Sequence, residues 1–202
     1  IVMMPKDENE FQHMLYTATQ YRQGPVAVRY SKGRGCGVQL DNEFIQIPIG
    51  QAEVVRPGKD IAIFALGTMV EVAMTAADQL EKENISVRVI NARFAKPLDE
   101  NMLLGISKEG IPILTLEEGT EIGGLGSAVL EFYAQNEISN MVVKVMGVPD
   151  YYVEHGTIED QRREVGLTTE KVVDELIRLL QRTKQPIRGV THGERTNRYS
   201  SC

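Results

Sequence analysis

The spacing of apolar and polar positions between Asp60 and Asp99 sets the frame for the whole chain. Ile61 to Leu66 is a short unbroken apolar run closed by Gly67 and Thr68. A run of that length with a glycine stop fits a strand covered on both faces, as in a parallel sheet. From Met69 the apolar period lengthens to that of a helix, with Val72, Ala73, Ala76, Ala77 and Leu80 on one stripe. Thr68 stands where a side-chain oxygen can cap that helix. Glu81 to Asn84 closes it in solvent, and Ile85, Val87 and Val89 then alternate as a second strand. Strand, helix, strand in this order predicts a crossover with the two strands parallel.

The same grammar extends both ways. Asp7 with Glu10 three residues on predicts a helix start, followed by a stripe of Phe11, Met14, Leu15 and Ala18 that ends before Gly24-Pro25. Val26 to Tyr30 reads as a strand. Residues 41–52 carry Pro48 and Gly50 and read as an edge strand or linker. Asn91 to Leu98 reads as a polar exit loop, and Asp99 as the cap of the next helix. Ile111 to Leu116 is a third apolar strand that runs into Glu117-Glu118, followed by a helix opened by Gly123, Gly124 and Gly126 with a stripe of Val129, Leu130 and Tyr133. Met141 to Val148 is a fourth strand, a short helix follows Thr157 up to Gly166, and Thr168 or Thr169 caps a last helix. Strand and helix alternate throughout, which predicts an α/β fold of three layers around a mostly parallel sheet, with room for one antiparallel edge strand. The predicted division is 1–40, a linker at 41–52, a domain at 53–182 and a basic, disordered tail at 183–202.

Composition narrows the function. The 202 residues are 42% hydrophobic and 25% charged, with a net charge of −6. That is an ordinary globular balance without a basic field for nucleic acid or an acidic membrane. Cys36 and Cys202 stand far apart, which indicates neither a metal site nor a disulfide framework, so a cytoplasmic setting is expected. Ile1 to Met4 is apolar and lacks the features of a signal peptide; it reads as the end of a buried strand whose domain lies upstream, so the chain is expected to be part of a longer one.

Candidate chemistry is sparse. The stretch SKGRGCG places Gly33, Gly35 and Gly37 around Lys32 and Arg34, which suits either a phosphate or a hinge with solvated charges. Gly123, Gly124 and Gly126 after a strand invite a dinucleotide reading, but the third glycine of the fingerprint would fall on Val129, and close helix-on-sheet packing fits better. His13 lies on a helix face expected to be solvated, His155 in a turn and His192 in the tail, none at metal-ligand spacing. His155 reads as a general base or as a turn residue bonded to backbone. Glu117 and Glu118 end a parallel strand, where ligands of such sheets bind. Either could be a functional carboxylate, and Glu118 could equally cap the glycine-rich helix.

Three stretches carry a resemblance. ALGTMVEVAMTAADQL, NARFAKPLD and LEEGTEIGGLGSAVLE resemble the C-terminal domain shared by the transketolase group of thiamine-diphosphate enzymes. MPKDENEFQHMLYTATQYRQGPVAVRYSKG and GVPDYYVEHGTIEDQRREVGLTTEKV resemble the flanking segments of the 1-deoxy-D-xylulose-5-phosphate synthase family, the first as the last helix and strand of its pyrimidine-binding domain. The resemblance implies a homodimeric enzyme that condenses pyruvate with glyceraldehyde 3-phosphate, releases CO2, and feeds isoprenoid, thiamine and pyridoxal synthesis. It implies thiamine diphosphate and Mg2+ held by segments upstream of this chain, which alone is expected to bind neither and to be inactive. It also implies a phosphate contact at the second arginine of a family R-Y-P-R-G motif. Here that motif is Arg29-Tyr30-Ser31-Lys32-Gly33, so Lys32 takes the arginine's place, with Arg34 two residues on. Lysine keeps the charge and loses the bidentate fork. For the domain at 53–182 the family suggests a structural and dimer-stabilising role. A stand-alone binding or assembly module and a piece of a 2-oxoacid dehydrogenase β-subunit are the alternatives.

Overall fold

The computed structural model describes residues 1–184. The predicted tail, including His192 and Cys202, lies almost wholly outside the described residues. The chain begins with β1 (Val2–Met3), α1 (Glu8–Gln20) and β2 (Ala27–Val28). It continues through β3 (Glu53–Arg56), β4 (Ile61–Ala65), α2 (Met69–Glu81), β5 (Val87–Asn91), β6 (Phe94–Lys96) and α3 (Glu100–Glu109). It ends with β7 (Ile113–Thr120), α4 (Leu125–Gln135), β8 (Val143–Val148), α5 (Ile158–Val165) and α6 (Thr169–Lys184).

The main sheet has the order β3-β5-β4-β7-β8. Its four inner and later strands pair in parallel, and β3 closes one edge antiparallel to β5. The central strand β4 is buried along its whole length. Ile61, Ile63 and Ala65 face α2 and α6, while Ala62, Phe64 and Leu66 face α3 and α4, as strict alternation demands. Each large side chain so enclosed, such as Ile63 or Phe64, contributes roughly 2–3 kcal/mol. On α2, Ala73, Ala76, Ala77 and Leu80 are buried as the periodicity predicts.

The helix ends follow local chemistry. Asp7 accepts from the Glu10 amide, Asp99 from Met102 and Thr157 from Asp160, and Gly110 and Gly166 end α3 and α5 in the left-handed conformation. Thr68 is the exception: it makes no side-chain capping bond to α2.

A second sheet has the order β2-β1-β6. It joins the first residues of the chain to a strand that follows the main sheet. Asn91 to Leu98 is therefore not the polar loop its composition suggests. Asn91 and Phe94 are fully buried, and Met3 pairs with Phe94. The chain leaves the main sheet through Arg93, whose φ of 58° turns it sharply. Met3, Met14, Ile47 and Phe94 form a small core there.

Helix α1 is rotated from its predicted stripe. Leu15 is exposed, whereas Glu10, His13 and Thr17 are buried. The segment expected to be a linker is the reason, because it lies along this helix. The Ile45 amide donates to His13 Nδ1 at 3.0 Å, His13 Nε2 meets Asp41 Oδ2 at 2.9 Å, and the Ile47 amide donates to Thr17 Oγ1 at 2.8 Å. His13 is thus a satisfied buried imidazole rather than a solvated one.

Candidate functional site

The carboxyl end of β7 gathers the polar groups that the sequence leaves scattered. Glu117 and Glu118 are consecutive residues of this strand, so their side chains leave opposite faces. Glu117 turns under α4. Its Oε1 accepts from the Gly126 amide at 3.0 Å. A Cβ at Gly119 or Gly124 would run into its carboxylate. The anion position at this glycine-rich helix start is therefore filled by the chain's own carboxylate, which leaves no opening for a dinucleotide phosphate. A Cβ at Gly126 would strike Val145 and Thr115, which is the close helix-on-sheet packing that the glycines predict. Glu117, and not Glu118, is the acid that caps this helix. Burial pushes its carboxyl above the usual range, against the pull of the Gly126 and Leu125 amides.

Glu118 faces the other way. Its Oε2 accepts from Ser31 Oγ at 2.6 Å and from Thr68 Oγ1 at 2.9 Å. Its Oε1 accepts from Arg162 Nη2 at 2.6 Å and Nε at 3.0 Å. Arg162 Nη2 also donates to Thr68 Oγ1 at 3.0 Å. Thr68 is thus an acceptor for Arg162 and a donor to Glu118, which accounts for the missing helix cap. Burial pushes the Glu118 carboxyl up, but the bonds from Ser31, Arg162 and Thr68 together outweigh it and hold it below the usual range.

Beside this cluster lies a cavity of about 330 Å³ between the loop after β2 and helix α5. Its polar wall carries Arg29, Ser31, Lys32, Gln161 and the Glu118–Arg162 pair itself, and its apolar wall includes Val148, Val153 and Ile158. Among the described residues the Arg29 guanidinium donates to the Glu118 carbonyl, at 3.3 Å, and to the Met4 sulfur, at 3.6 Å. Neither Arg29 nor Lys32 forms an ion pair with a carboxylate among the described residues. Two cations outside any ion pair among the described residues therefore border a cavity whose one lining carboxylate is already paired with Arg162, an arrangement that favours an anionic ligand.

The sequence-predicted residues divide accordingly. Lys32 lines the cavity, whereas Arg34 is exposed and is not part of the lining. The far end of the glycine-rich loop turns its amides toward Glu8. The Gly37 amide donates to Glu8 Oε1 at 2.5 Å, and a Cβ at Gly35 would meet the same carboxylate. Hydrogen bonds from Glu8's own amide and from those of Gly37, Cys36 and Val38 hold the Glu8 carboxyl below its usual range. A phosphate in the cavity would rest on side chains. His155 is exposed, and no hydrogen bond involves its ring among the described residues.

A second polar cluster escaped the sequence reading. Glu10, 3% exposed, accepts from Asn91 Nδ2 at 2.8 and 3.0 Å, from Arg93 Nε at 2.8 Å and from the Lys6 amide at 2.7 Å. Burial opposes the charge on Lys6, but Glu10, Asp7 and Glu53 together raise its pKa. This cluster fastens α1 to the end of β5. Among the described residues no group of three His, Cys, Asp or Glu side chains stands close enough to hold a metal ion. No helix among the described residues is long and apolar enough to cross a membrane.

Comparison with known proteins identifies this architecture. Residues 50–172 match the family model described as the C-terminal domain of transketolase. The chain belongs to this transketolase family. It is 49% identical over 185 residues to the 1-deoxy-D-xylulose-5-phosphate synthase of Geobacillus sp. (strain WCH70), covering 92% of this chain and 29% of that protein. It is 51% identical over 180 residues to the synthase of the same name from Bacillus licheniformis, covering 89% of this chain and 28% of that protein. The chain thus spans less than a third of the length of these curated relatives. Among solved structures, a split-gene transketolase described as an inactive β4 tetramer superposes with a TM-score of 0.77 at 31% identity, over 89% of this chain and 57% of that one. A transketolase variant from Pichia stipitis superposes with a TM-score of 0.68 at 20% identity over 91% of this chain and 25% of that one, a likeness of fold alone.

Proposed function

We propose that this transketolase-family chain forms the carboxyl-terminal part of a thiamine-diphosphate-dependent 1-deoxy-D-xylulose-5-phosphate synthase. The reaction condenses pyruvate with D-glyceraldehyde 3-phosphate and releases CO2. Thiamine diphosphate, bound with Mg2+ by other segments of the enzyme, supplies the carbanion-forming centre. This chain's share is to hold the phosphate of the aldehyde substrate and to brace the neighbouring domain. We further propose a cytoplasmic homodimer, with this part alone neither binding the cofactor nor turning over.

The observation that carries the reading is the cavity at the carboxyl end of β7, with Arg29 and Lys32 outside any ion pair among the described residues, in a chain about half identical to proteins named as this synthase. Lys32 holds the phosphate as a point charge, Arg29 is a second cation on the same wall, and Arg34 adds long-range attraction from the loop. In the complete enzyme, Lys32→Ala is expected to raise KM for glyceraldehyde 3-phosphate about tenfold and to move KM for pyruvate less than about twofold. Equal effects on both substrates overturn the phosphate assignment. Turnover of pyruvate and glyceraldehyde 3-phosphate that yields no 1-deoxy-D-xylulose 5-phosphate overturns the proposed reaction.

The likeness to a split-gene transketolase favours a variant of this reading in which the remaining segments are a separate polypeptide. The mass of the native polypeptide in its source cell separates the two.

A further inference from the structure

Lys32 carries its charge on a loop with no regular structure, and a phosphate contact needs that charge fixed in space. The loop has its own anchors. Ser31, the residue before Lys32, donates to Glu118 Oε2 at 2.6 Å and lies 3.4 Å from Thr68 Oγ1. Gly33, the residue after it, has a φ of 144°, and a Cβ there would touch Ile158 of α5. Arg162, on the same helix as Ile158, grips the other oxygen of Glu118 with two nitrogens. Lys32 thus follows directly on a residue tied to Glu118, and the residue after it runs close beside α5, the helix that carries Arg162.

Thr68 supports the same conclusion. A threonine in front of a helix ordinarily caps it, which is worth about 1 kcal/mol. Here the hydroxyl abandons α2 and donates to Glu118 at 2.9 Å. A broken local rule with a partner this specific is typical of a functional site. Glu118 does not line up as a ligand group itself, since its two oxygens are filled by four donors from Ser31, Thr68 and Arg162. Its negative charge lines the cavity but is offset by the paired Arg162 guanidinium, so the pair as a whole adds little repulsion toward a phosphate.

We propose that Glu118 is a positioning residue that, through Ser31 and with Arg162 as its counter-ion, sets Lys32 for the substrate phosphate. The inference rests on the phosphate-site reading above. It gives the Glu117-Glu118 pair two separate duties, one building α4 and the other arming the loop.

The test uses the complete enzyme and five variants. Ser31→Ala, Glu118→Ala and Lys32→Ala are each expected to raise KM for glyceraldehyde 3-phosphate, the first two by about fivefold, less than the loss of Lys32 itself because they act through it. KM for pyruvate serves as the internal control and should move less than about twofold. The double variant Ser31→Ala/Lys32→Ala should be no worse than Lys32→Ala alone, because Ser31 acts only through Lys32. Ser31→Thr, which keeps the hydroxyl, should recover most of the affinity. Additive losses in the double variant overturn the proposal, as does a Ser31→Ala enzyme with an unmoved phosphate-substrate KM. If Lys32→Ala itself leaves that KM unmoved, the phosphate-site reading falls. If Lys32→Ala raises it but Ser31→Ala and Glu118→Ala do not, only the positioning role falls.

Discussion

Glu117 and Glu118 are adjacent in β7, yet the protein shifts their carboxyls in opposite directions, Glu117 up and Glu118 down. The signs of their pH dependence are therefore opposite. Glu118 is easier to ionise when folded, so its contribution is present above the ordinary glutamate pKa and is lost as pH falls through its depressed value. Glu117 is harder to ionise when folded, so its charge costs stability as pH rises from the ordinary value through its raised one. Urea unfolding of Glu118→Gln across acidic to neutral pH should show a deficit of about 2–4 kcal/mol at neutral pH that shrinks on acidification. For Glu117→Gln the balance with wild type should shift in the variant's favour as pH rises. Parallel pH profiles for the two variants contradict this account.

Removal of Glu10 should loosen α1 from the rest of the protein. Glu10→Ala leaves the buried Asn91 amide and the Arg93 guanidinium without their shared acceptor, while Arg93 keeps only Glu53. The cost of such an orphaned buried group is about 3–5 kcal/mol. Limited proteolysis should reveal it before global unfolding does, as faster cleavage between residues 20 and 50. An unchanged digestion pattern with normal stability contradicts this role for Glu10.

Two helical glycines make a matched pair. A Cβ at Gly126 would strike Val145 and Thr115, so Gly126→Ala should destabilise by about 1–3 kcal/mol through overpacking. A Cβ at Gly105, inside α3, would meet nothing within 4 Å. Gly105→Ala should therefore stabilise by about 0.5–1 kcal/mol from helix propensity alone. Thermal unfolding of the two variants should move in opposite directions.

The main sheet was legible because β4 and α2 express their burial as period: every residue of β4 is enclosed, and α2 buries one stripe. The caps at Asp7, Asp99 and Thr157 were legible because each bond closes within three residues. Thr68 was misread for the opposite reason, since its partners Glu118 and Arg162 lie 50 and 94 positions away. Asn91 and Arg93 made a buried strand exit look polar, because their polarity serves Glu10, 81 and 83 positions earlier. His13 was misplaced likewise, by a segment that lies back along its helix from 28 to 32 positions downstream. The resemblance singled out Lys32, while the cavity it borders and Arg29 beside it appear only once α5 is folded against the loop.

The small sheet β2-β1-β6 has a mechanical consequence. It is woven from both ends of the connecting segment, so backbone scission between residues 31 and 40 would not free either portion. Met3 would stay zipped to Phe94, and Glu10 to Arg93. A nicked polypeptide should migrate as one species under native conditions and part only in denaturant, so the two portions behave as a single folding unit whatever the continuity of the loop that links them.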